Sequence, residues 1–307
     1  MRVAVIKGGR SLERVVSLRS GASVEDALGA LGHEVVALDA GAGLVGALKE
    51  ARPDVAFIAL HGPGGEDGTI QELLEILGIP YTGPGVAACL RSIDKVATKH
   101  LLREQGIPTP DWVAFNATAF QELGAADALG EIEAGLGFPL VIKPAAQGSS
   151  LGVRFAASRE EVPEALVAAF SYDERVLLER HVDGRELAVS LLDGVALPIV
   201  EAVPREADQF NYEARYEIGR TTYTCPAALS PGEAEAVAAV AEATWRALGC
   251  TGFGRVDVML GADGPQVIEL NAIPGLTDTS LLPMACEAAG ISFEQFVARA
   301  LELGLAA

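Results

Sequence analysis

GFGRVDVMLGADGPQVIELNAIPGLTDTSLLP, residues Gly252–Pro283, reads as a β-hairpin carrying two carboxylates, an amide and an arginine, followed by a helix start. Val256, Val258 and Leu260 alternate with Arg255, Asp257 and Met259, the period-2 pattern of a half-buried strand. The return strand alternates Ile268 and Leu270 with Glu269 and Asn271. A three-residue loop, Ala262-Asp263-Gly264, with the glycine left-handed, sets Asp257 opposite Glu269 and Arg255 opposite Asn271. A two-residue loop would shift the register by one and put the carboxylates on opposite faces. The aliphatic pattern favours the first register. Asp257, Glu269 and the Asn271 amide on one face, beside Arg255, suit Mg²⁺ held together with phosphate oxygens. The alternative is a solvated polar face on an ordinary hairpin.

Working outward, 307 residues suffice for two or three domains with substantial cores. Half the residues are hydrophobic and only 6% aromatic, as in an Ala/Val/Leu-rich α/β enzyme rather than a disordered chain. No apolar run approaches the roughly 18 residues of a membrane span. The opening MRVAVIKGGR holds too short an apolar run for a signal peptide, so the expected compartment is the cytoplasm, with no membrane partner. Cys89, Cys225, Cys250 and Cys286 are far apart and read as reduced thiols. The net charge of −19 argues against non-specific nucleic-acid binding, which needs a basic footprint. A phosphate ligand then depends on a few local cations, backbone amides or metal.

Strand-like runs alternate with helical stretches throughout, the mark of α/β architecture. Strands are expected near Val3–Ile6, Glu34–Asp39 and Asp54–Leu60, closed by Gly/Pro punctuation at Pro80–Gly85 and a helix through Lys99 to Glu104. Gly106–Pro110 cannot continue that helix and starts a new piece. A second unit to about Glu179 reads strand, helix, strand (Leu140–Lys143), Gly/Ser loop, strand, helix, strand. The remainder is a unit of long strands with helices at Gly232–Leu248, around Ser280–Ala289 and at the C-terminus. The expected division is 1–94, 95–181 and 182–307.

Leu140–Pro144 ends a buried strand in Lys143 and enters the loop Ala145-Ala146-Gln147-Gly148-Ser149-Ser150-Leu151-Gly152. Small residues let successive N–H groups close around phosphate oxygens, with Lys143 as a point charge. Alone, such a loop is more often a plain hairpin turn. Gly41–Gly46 matches G-x-G-x-x-G, but no acidic residue ends a strand about 20 residues later, as a dinucleotide's ribose requires. Gly8–Glu13 follows the first strand, where open α/β sheets place ligands. There Glu13 either pairs with a substrate ammonium or favours the helix dipole. His61–Gly68 points to the same sheet edge, with His61 either structural or part of a site.

Taken together these segments resemble the D-alanine–D-alanine ligases of the ATP-grasp superfamily. The landmarks run in order along nearly the whole chain: GGRSLERVVSL, LHGPGGEDG, YTGPGV, DKVATK, VIKPAAQGSSLG, LLERHVDGREL, NYEARY, GFGRVDVM and IELNAIPGLTDTSLLP. The resemblance implies a three-domain ATP-grasp fold with an N-terminal parallel-sheet domain. It also implies an ATP-dependent ligation of two D-alanines through an acyl phosphate, for peptidoglycan. It implies Lys95 and Lys143 as phosphate contacts, with the backbone of Gln147, Gly148, Ser149 and Ser150 over the phosphates. Glu179, Arg180 and the main chain through Val182 match adenine contacts, and Glu186 the ribose acceptor. Asp257, Glu269 and Asn271 match the ligands of two Mg²⁺ ions, with Mn²⁺ as a substitute. Glu13 holds the first ammonium with His61 nearby, while Arg255 and the Gly275 amide are oxyanion donors. Ser280 and Leu281, at a helix start, hold the second carboxylate, a position that suits anions on its own account.

In the family a closing loop, matched by Gln209–Tyr216, ends in a tyrosine that bonds the serine matched by Ser149. Asn211 replaces a usual Asp, and Arg215 a usual Lys that reaches the terminal phosphate, which bears on closure and ATP affinity. Tyr216 favours a dipeptide over a D-lactate product. A homodimer is a further implication; K⁺ activation is not decided by these residues. The competing readings are a sister ligase with another acceptor, a non-catalytic ATP-grasp protein, and a nicotinamide enzyme built on Gly41–Gly46.

Overall fold

The computed structural model describes residues 1–124, 129–204 and 221–306. Strands β1 (Arg2–Lys7), β2 (Glu34–Asp39) and β3 (Val55–Ile58) form a parallel sheet in the order β2-β1-β3. Val3–Ile6 and Val55–Ile58 are fully buried, which explains the unbroken apolar runs of a sheet covered on both faces. Helix α1 (Arg14–Ala30) follows β1, and α2 (Leu44–Ala51) follows β2. The loops after β1 and β3 leave the same edge, stapled by Ser17. Its hydroxyl accepts from Gly8 N (2.8 Å) and donates to the Ala59 carbonyl (2.6 Å).

Helices α3 (Thr69–Leu77), α4 (Val86–Ile93) and α5 (Lys95–Glu104) lead to the next sheet. The continuous helix expected through Lys99 is two helices. Asp94 is extended (φ −86°, ψ 99°) and caps α5 by accepting from Val96 N and Ala97 N, a local bond that competes with helical continuation. The second sheet contains β4 (Trp112–Asn116), β5 (Leu140–Pro144), β6 (Arg154–Ala156) and β7 (Arg175–Arg180). Two short helices, α6 (Ala117–Gln121) and α7 (Leu129–Leu136), lie between β4 and β5. The sheet is antiparallel, in the order β4-β7-β5-β6, and α8 (Val162–Phe170) buries Val162, Leu166 and Ala169 against it.

The third sheet runs β11-β10-β8-β12-β13, all antiparallel. Its strands are β8 (Gly184–Leu192), β9 (Val195–Ala196, paired with β8), β10 (Val200–Pro204), β11 (Thr221–Thr224), β12 (Phe253–Gly261) and β13 (Gly264–Asn271). Helix α9 (Pro231–Leu248) covers it with Val237, Ala241, Trp245 and Leu248. This helix starts with a Ser230/Glu233 capping box and Pro231, and it stops at left-handed Gly249. Helix α10 (Leu281–Ala288) follows the hairpin, and α11 (Phe293–Ala306) ends the described chain. Phe296, Val297, Ala300 and Leu301 of α11 join the core of β1 and β3, so the C-terminal helix closes back onto the first sheet.

The decisive hairpin has the expected pairing, Asp257↔Glu269 and Arg255↔Asn271, by a different route. Its tip is the two-residue loop Ala262-Asp263, since Gly261 pairs with Gly264. The register then shifts by one between Asp257 and Val258, a β-bulge at Ile268. Val267, not Ile268, shares the buried face with Leu270. An odd number of residues separates the carboxylates. The extra one can sit in the loop or in a bulge, and here it sits in a bulge rather than in the expected three-residue loop. The bulge is fixed by the segment before β4: Val267 N donates to Pro108 O (2.8 Å), and Thr109 Oγ1 donates to Val267 O (2.8 Å).

Candidate active site

Two adjoining cavities lie where the three sheets meet, sharing Ser150, Glu186, Asp257 and Glu269 in their walls. The first has cations at one end (Lys95, Lys143) and an aliphatic wall of Val141, Val258, Met259 and Ile268. Residues 179–182 border it, and the bulge turns Ile268 into this wall. The second cavity, about 300 Å³, brings together Glu13, His61, Gly148, Ser149, Arg255, Asn271, Gly275, Ser280 and Leu281.

Asp257 is gripped by Arg255 through Nε–Oδ1 (2.6 Å) and Nη2–Oδ2 (2.8 Å), and Asn271 Nδ2 donates to the same Oδ2 (3.0 Å). Lys95 Nζ pairs with Glu269 (3.1 Å) and donates to the Gln147 carbonyl (2.6 Å), tying the Gly/Ser loop to the hairpin. Burial opposes ionisation of Glu269, but Lys95, Lys143 and Arg255 hold its carboxyl below the usual range. The oxygen donors of Asp257, Glu269 and Asn271 fit a hard divalent cation. Among the described residues no three of His, Cys, Asp and Glu converge on a metal position. Two carboxylates and two cations already balance here, so such an ion needs a substrate's phosphates to complete its shell.

Lys143 Nζ lies 2.8 Å from Glu179 Oε1, and Lys99 Nζ meets the other oxygen. Lys99 also donates to Thr109 Oγ1 (2.6 Å) and Pro110 O (3.2 Å). Burial pulls the Lys99 ammonium down to about 8 against the opposing pull of Glu179. Burial would raise Glu179, but the two lysines override it and hold it ionised. The Glu179 carboxylate is thus engaged with lysines, and Glu179, Arg180 and Val182 all line the first cavity. The Arg180 side chain instead runs outward to Asp111 and the Gly135 carbonyl.

Glu13 precedes α1 and accepts a hydrogen bond from the Ser149 hydroxyl. Burial raises its pKa, partly offset by that bond. Gly62 and Gly148 crowd this carboxylate: a Cβ on Gly62, which is left-handed (φ 69°), would lie 2.1 Å from Glu13 Oε2. His61 is buried with both ring nitrogens engaged. Nδ1 must donate to the Ile273 carbonyl (2.9 Å), so Nε2 accepts from Ser20 (2.8 Å), whose Oγ in turn accepts from Leu276 N (3.1 Å). Burial drives the imidazole down to about 4, keeping it neutral. His61 therefore positions the strand-to-helix segment carrying Gly275. Ser280 Oγ binds Thr277 N (3.1 Å) and would lie 2.7 Å from a Cβ on Gly275.

Arg215, Tyr216 and Asn211 lie outside the described residues. Gly46, where a dinucleotide fingerprint needs close helix–strand packing, has open space around its Cα instead. Sequence reading missed Lys99, Glu66 and Ser20. Lys99 was findable, because Lys95, Lys99 and Leu102 recur at helical spacing on one buried face of α5. Glu66 accepts from Gly62 N (3.0 Å) and Ile273 N (3.1 Å), and burial beside Glu13 lifts it to about 7. Nothing in a Gly-rich loop marks it in advance.

Residues 101–302 match the family model described as the D-ala D-ala ligase C-terminus, and residues 45–84 the model of its N-terminus. The chain belongs to the D-alanine–D-alanine ligase family. A D-alanine–D-alanine ligase of Gloeobacter violaceus is 43% identical over 99% of this chain and all of its own length. That of Carboxydothermus hydrogenoformans is 42% identical over 99% of this chain and 98% of its own. The crystal structure of the Bacillus anthracis ligase superposes with a TM-score of 0.87 at 35% identity, covering 100% of this chain and 98% of that one. The VanG D-Ala:D-Ser ligase of Enterococcus faecalis superposes at 0.84 with 26% identity, covering 99% of each chain. The fold is accordingly the three-sheet ATP-grasp arrangement of this ligase family, headed by a parallel sheet.

Proposed function

We propose that the protein joins two D-alanines into D-alanyl-D-alanine for peptidoglycan, with ATP converted to ADP and phosphate. The observation that carries this is the meeting of the two cavities at Asp257 and Glu269. One is lined by two lysines and an aliphatic wall; the other is lined by an acid (Glu13) and a helix start (Ser280, Leu281). A carboxylate is a poor electrophile until one oxygen becomes a leaving group. Its oxygen therefore attacks the terminal phosphorus of ATP, releasing ADP. The second amine then attacks the acyl carbon, and phosphate leaves. The chain's work is positioning and charge stabilisation.

In this reading Lys95, Lys143 and the backbone of Gln147–Ser150 hold phosphates, and the main chain 179–182 with Glu186 holds adenosine. Glu13 orients the first ammonium, and Arg255 with the Gly275 amide receives the oxyanion. The Leu281 N–H and Ser280 hold the second carboxylate. Asp257, Glu269 and Asn271 would hold two Mg²⁺ ions, or Mn²⁺ in their place, and bound metal would neutralise phosphate charge. Because the reaction consumes ATP, the proposed compartment is the cytoplasm, and the proposed assembly is a homodimer. The proposed domains are 1–94, 95–181 and 182–307. No helix among the described residues is long and apolar enough to cross a membrane.

The likeness to a D-Ala:D-Ser ligase makes another acceptor the second reading. Phosphate release with Mg-ATP is measured with D-alanine alone and with D-alanine plus D-serine or D-lactate, and products are identified by mass. D-alanyl-D-alanine from D-alanine alone is the expected result. Turnover only in a mixture would overturn the acceptor.

A further inference from the structure

Glu179 is the buried centre of a charge cluster that spans three parts of the fold. Its carboxylate, on β7 and only 2% exposed, meets Lys143 of β5 through one oxygen and Lys99 of α5 through the other. Lys99 is fully buried, and it also donates to Thr109 Oγ1 and the Pro110 carbonyl. Thr109 in turn donates to Val267 O, next to the bulge that leads to Glu269. Lys143 borders the first cavity, whereas Lys99 does not.

A buried carboxylate that loses its counter-ion is left strongly destabilised. If Glu179 had Lys143 as sole partner, Lys143 would engage a ligand phosphate only at that cost. We infer that Lys99 is a positioning residue: a permanent counter-ion to Glu179 that releases Lys143 for the phosphates of ATP. The inference rests on the proposed role of Lys143 as a phosphate contact. It predicts a non-additive pattern that a merely structural lysine would not give. Removing Lys99 should weaken nucleotide binding only while the Glu179 carboxylate remains to capture Lys143.

The test is the Kd of Mg-ADP by calorimetry on the full chain, with folding checked by circular dichroism. Lys99→Met is expected to weaken binding about tenfold or more, equivalent to about 1.4 kcal/mol. Added to Glu179→Gln, the same substitution should change Kd less than about threefold. Lys99→Gln, which keeps a donor for Thr109 but no charge, should match Lys99→Met and replaces it if that variant does not fold. Unchanged binding in Lys99→Met, or an equal loss in both backgrounds, would overturn the inference. Lys143→Met separates the two layers of the argument. If it weakens binding while Lys99→Met does not, only the role of Lys99 falls. If Lys143→Met binds normally, the reading of Lys143 falls, and the inference with it.

Discussion

The C-terminal hairpin and the Gly/Ser loop after β5 face the same cavities, yet they are held in opposite ways. Arg255, Asp257, Glu269 and Asn271 stand on strands paired to each other and to β8 along nine residues of β12. The loop has no ladder. Ser149 and Ser150 are left-handed (φ 49° and 53°), a conformation that costs a non-glycine residue about 1 kcal/mol or more. Backbone bonds with Lys95 and Arg175 hold it at Ala145, and beyond that side-chain contacts do: Lys95 to the Gln147 carbonyl, Ser149 to Glu13, Gln147 Nε2 to the Tyr172 carbonyl, and Asp173 to Ala146 N. Charge on a ladder keeps its place whatever its partners do. A loop held by side chains keeps its place only while they bind, so its geometry follows the state of the site.

The contrast is sharpest at Arg255. Arg255→Ala should lower kcat by about 100-fold or more while Mg-ADP binding changes little, since the developing oxyanion is lost and the backbone is not. A near-normal kcat in single-turnover assays would break the assignment. In the loop, Ser149→Ala removes a hydrogen bond to a carboxylate and should lower kcat/KM for D-alanine by about tenfold or more. If the loss fell on the KM of ATP alone, Ser149 would serve the phosphates rather than Glu13.

His61 tests the support behind the hairpin by pH. Burial lowers it from 6.5 to about 4, so between those values the unfolded chain binds more protons, and its contribution to stability is lost as pH falls. Glu66, raised from 4.5 to about 7 by burial and Glu13, works in the other sense: its contribution is lost as pH rises through that window. His61→Gln removes the first effect and keeps the second. Its Tm relative to wild type should therefore rise as pH is lowered from about 7 to about 5; parallel Tm curves would show that His61 is not held neutral. The smallest effect is expected for Gln147→Ala, a neutral tether, with the KM of ATP up by about fivefold or less. A larger rise would mean that this one contact carries the loop.

Much of the site was legible because strands and helix faces repeat. Period-2 alternation grouped Arg255 with Asp257 on one strand and Glu269 with Asn271 on the other, and a buried strand ending in Lys143 marked the cavity wall. The helix expected at Gly232–Leu248 is α9 (Pro231–Leu248), differing by one residue at its start. The break at Asp94 was less legible, since an aspartate inside a helical pattern is ambiguous until its side chain is seen to cap Val96 and Ala97. Glu66 and Ser20 gave no periodic signal, because their partners, the Ile273 and Leu276 amides, are more than 200 residues away in the chain.

Sequence by itself determined that Arg255 and Asp257 share a face of one strand and Glu269 and Asn271 a face of the next, because side-chain alternation is a property of the strand; that the two faces coincide depends on the bulge. It also determined the family, through landmarks that keep their order. Only the tertiary structure decided that the extra residue of the hairpin sits at Ile268 rather than at the tip. That bulge is fixed by hydrogen bonds from Val267 N to the Pro108 carbonyl and from Thr109 Oγ1 to the Val267 carbonyl, contacts between distant parts of the chain. It likewise decided that Glu179 is shared by two lysines and that His61 is spoken for on both nitrogens. Such roles depend on which groups are brought together in a space without water, and no local pattern of residues encodes that.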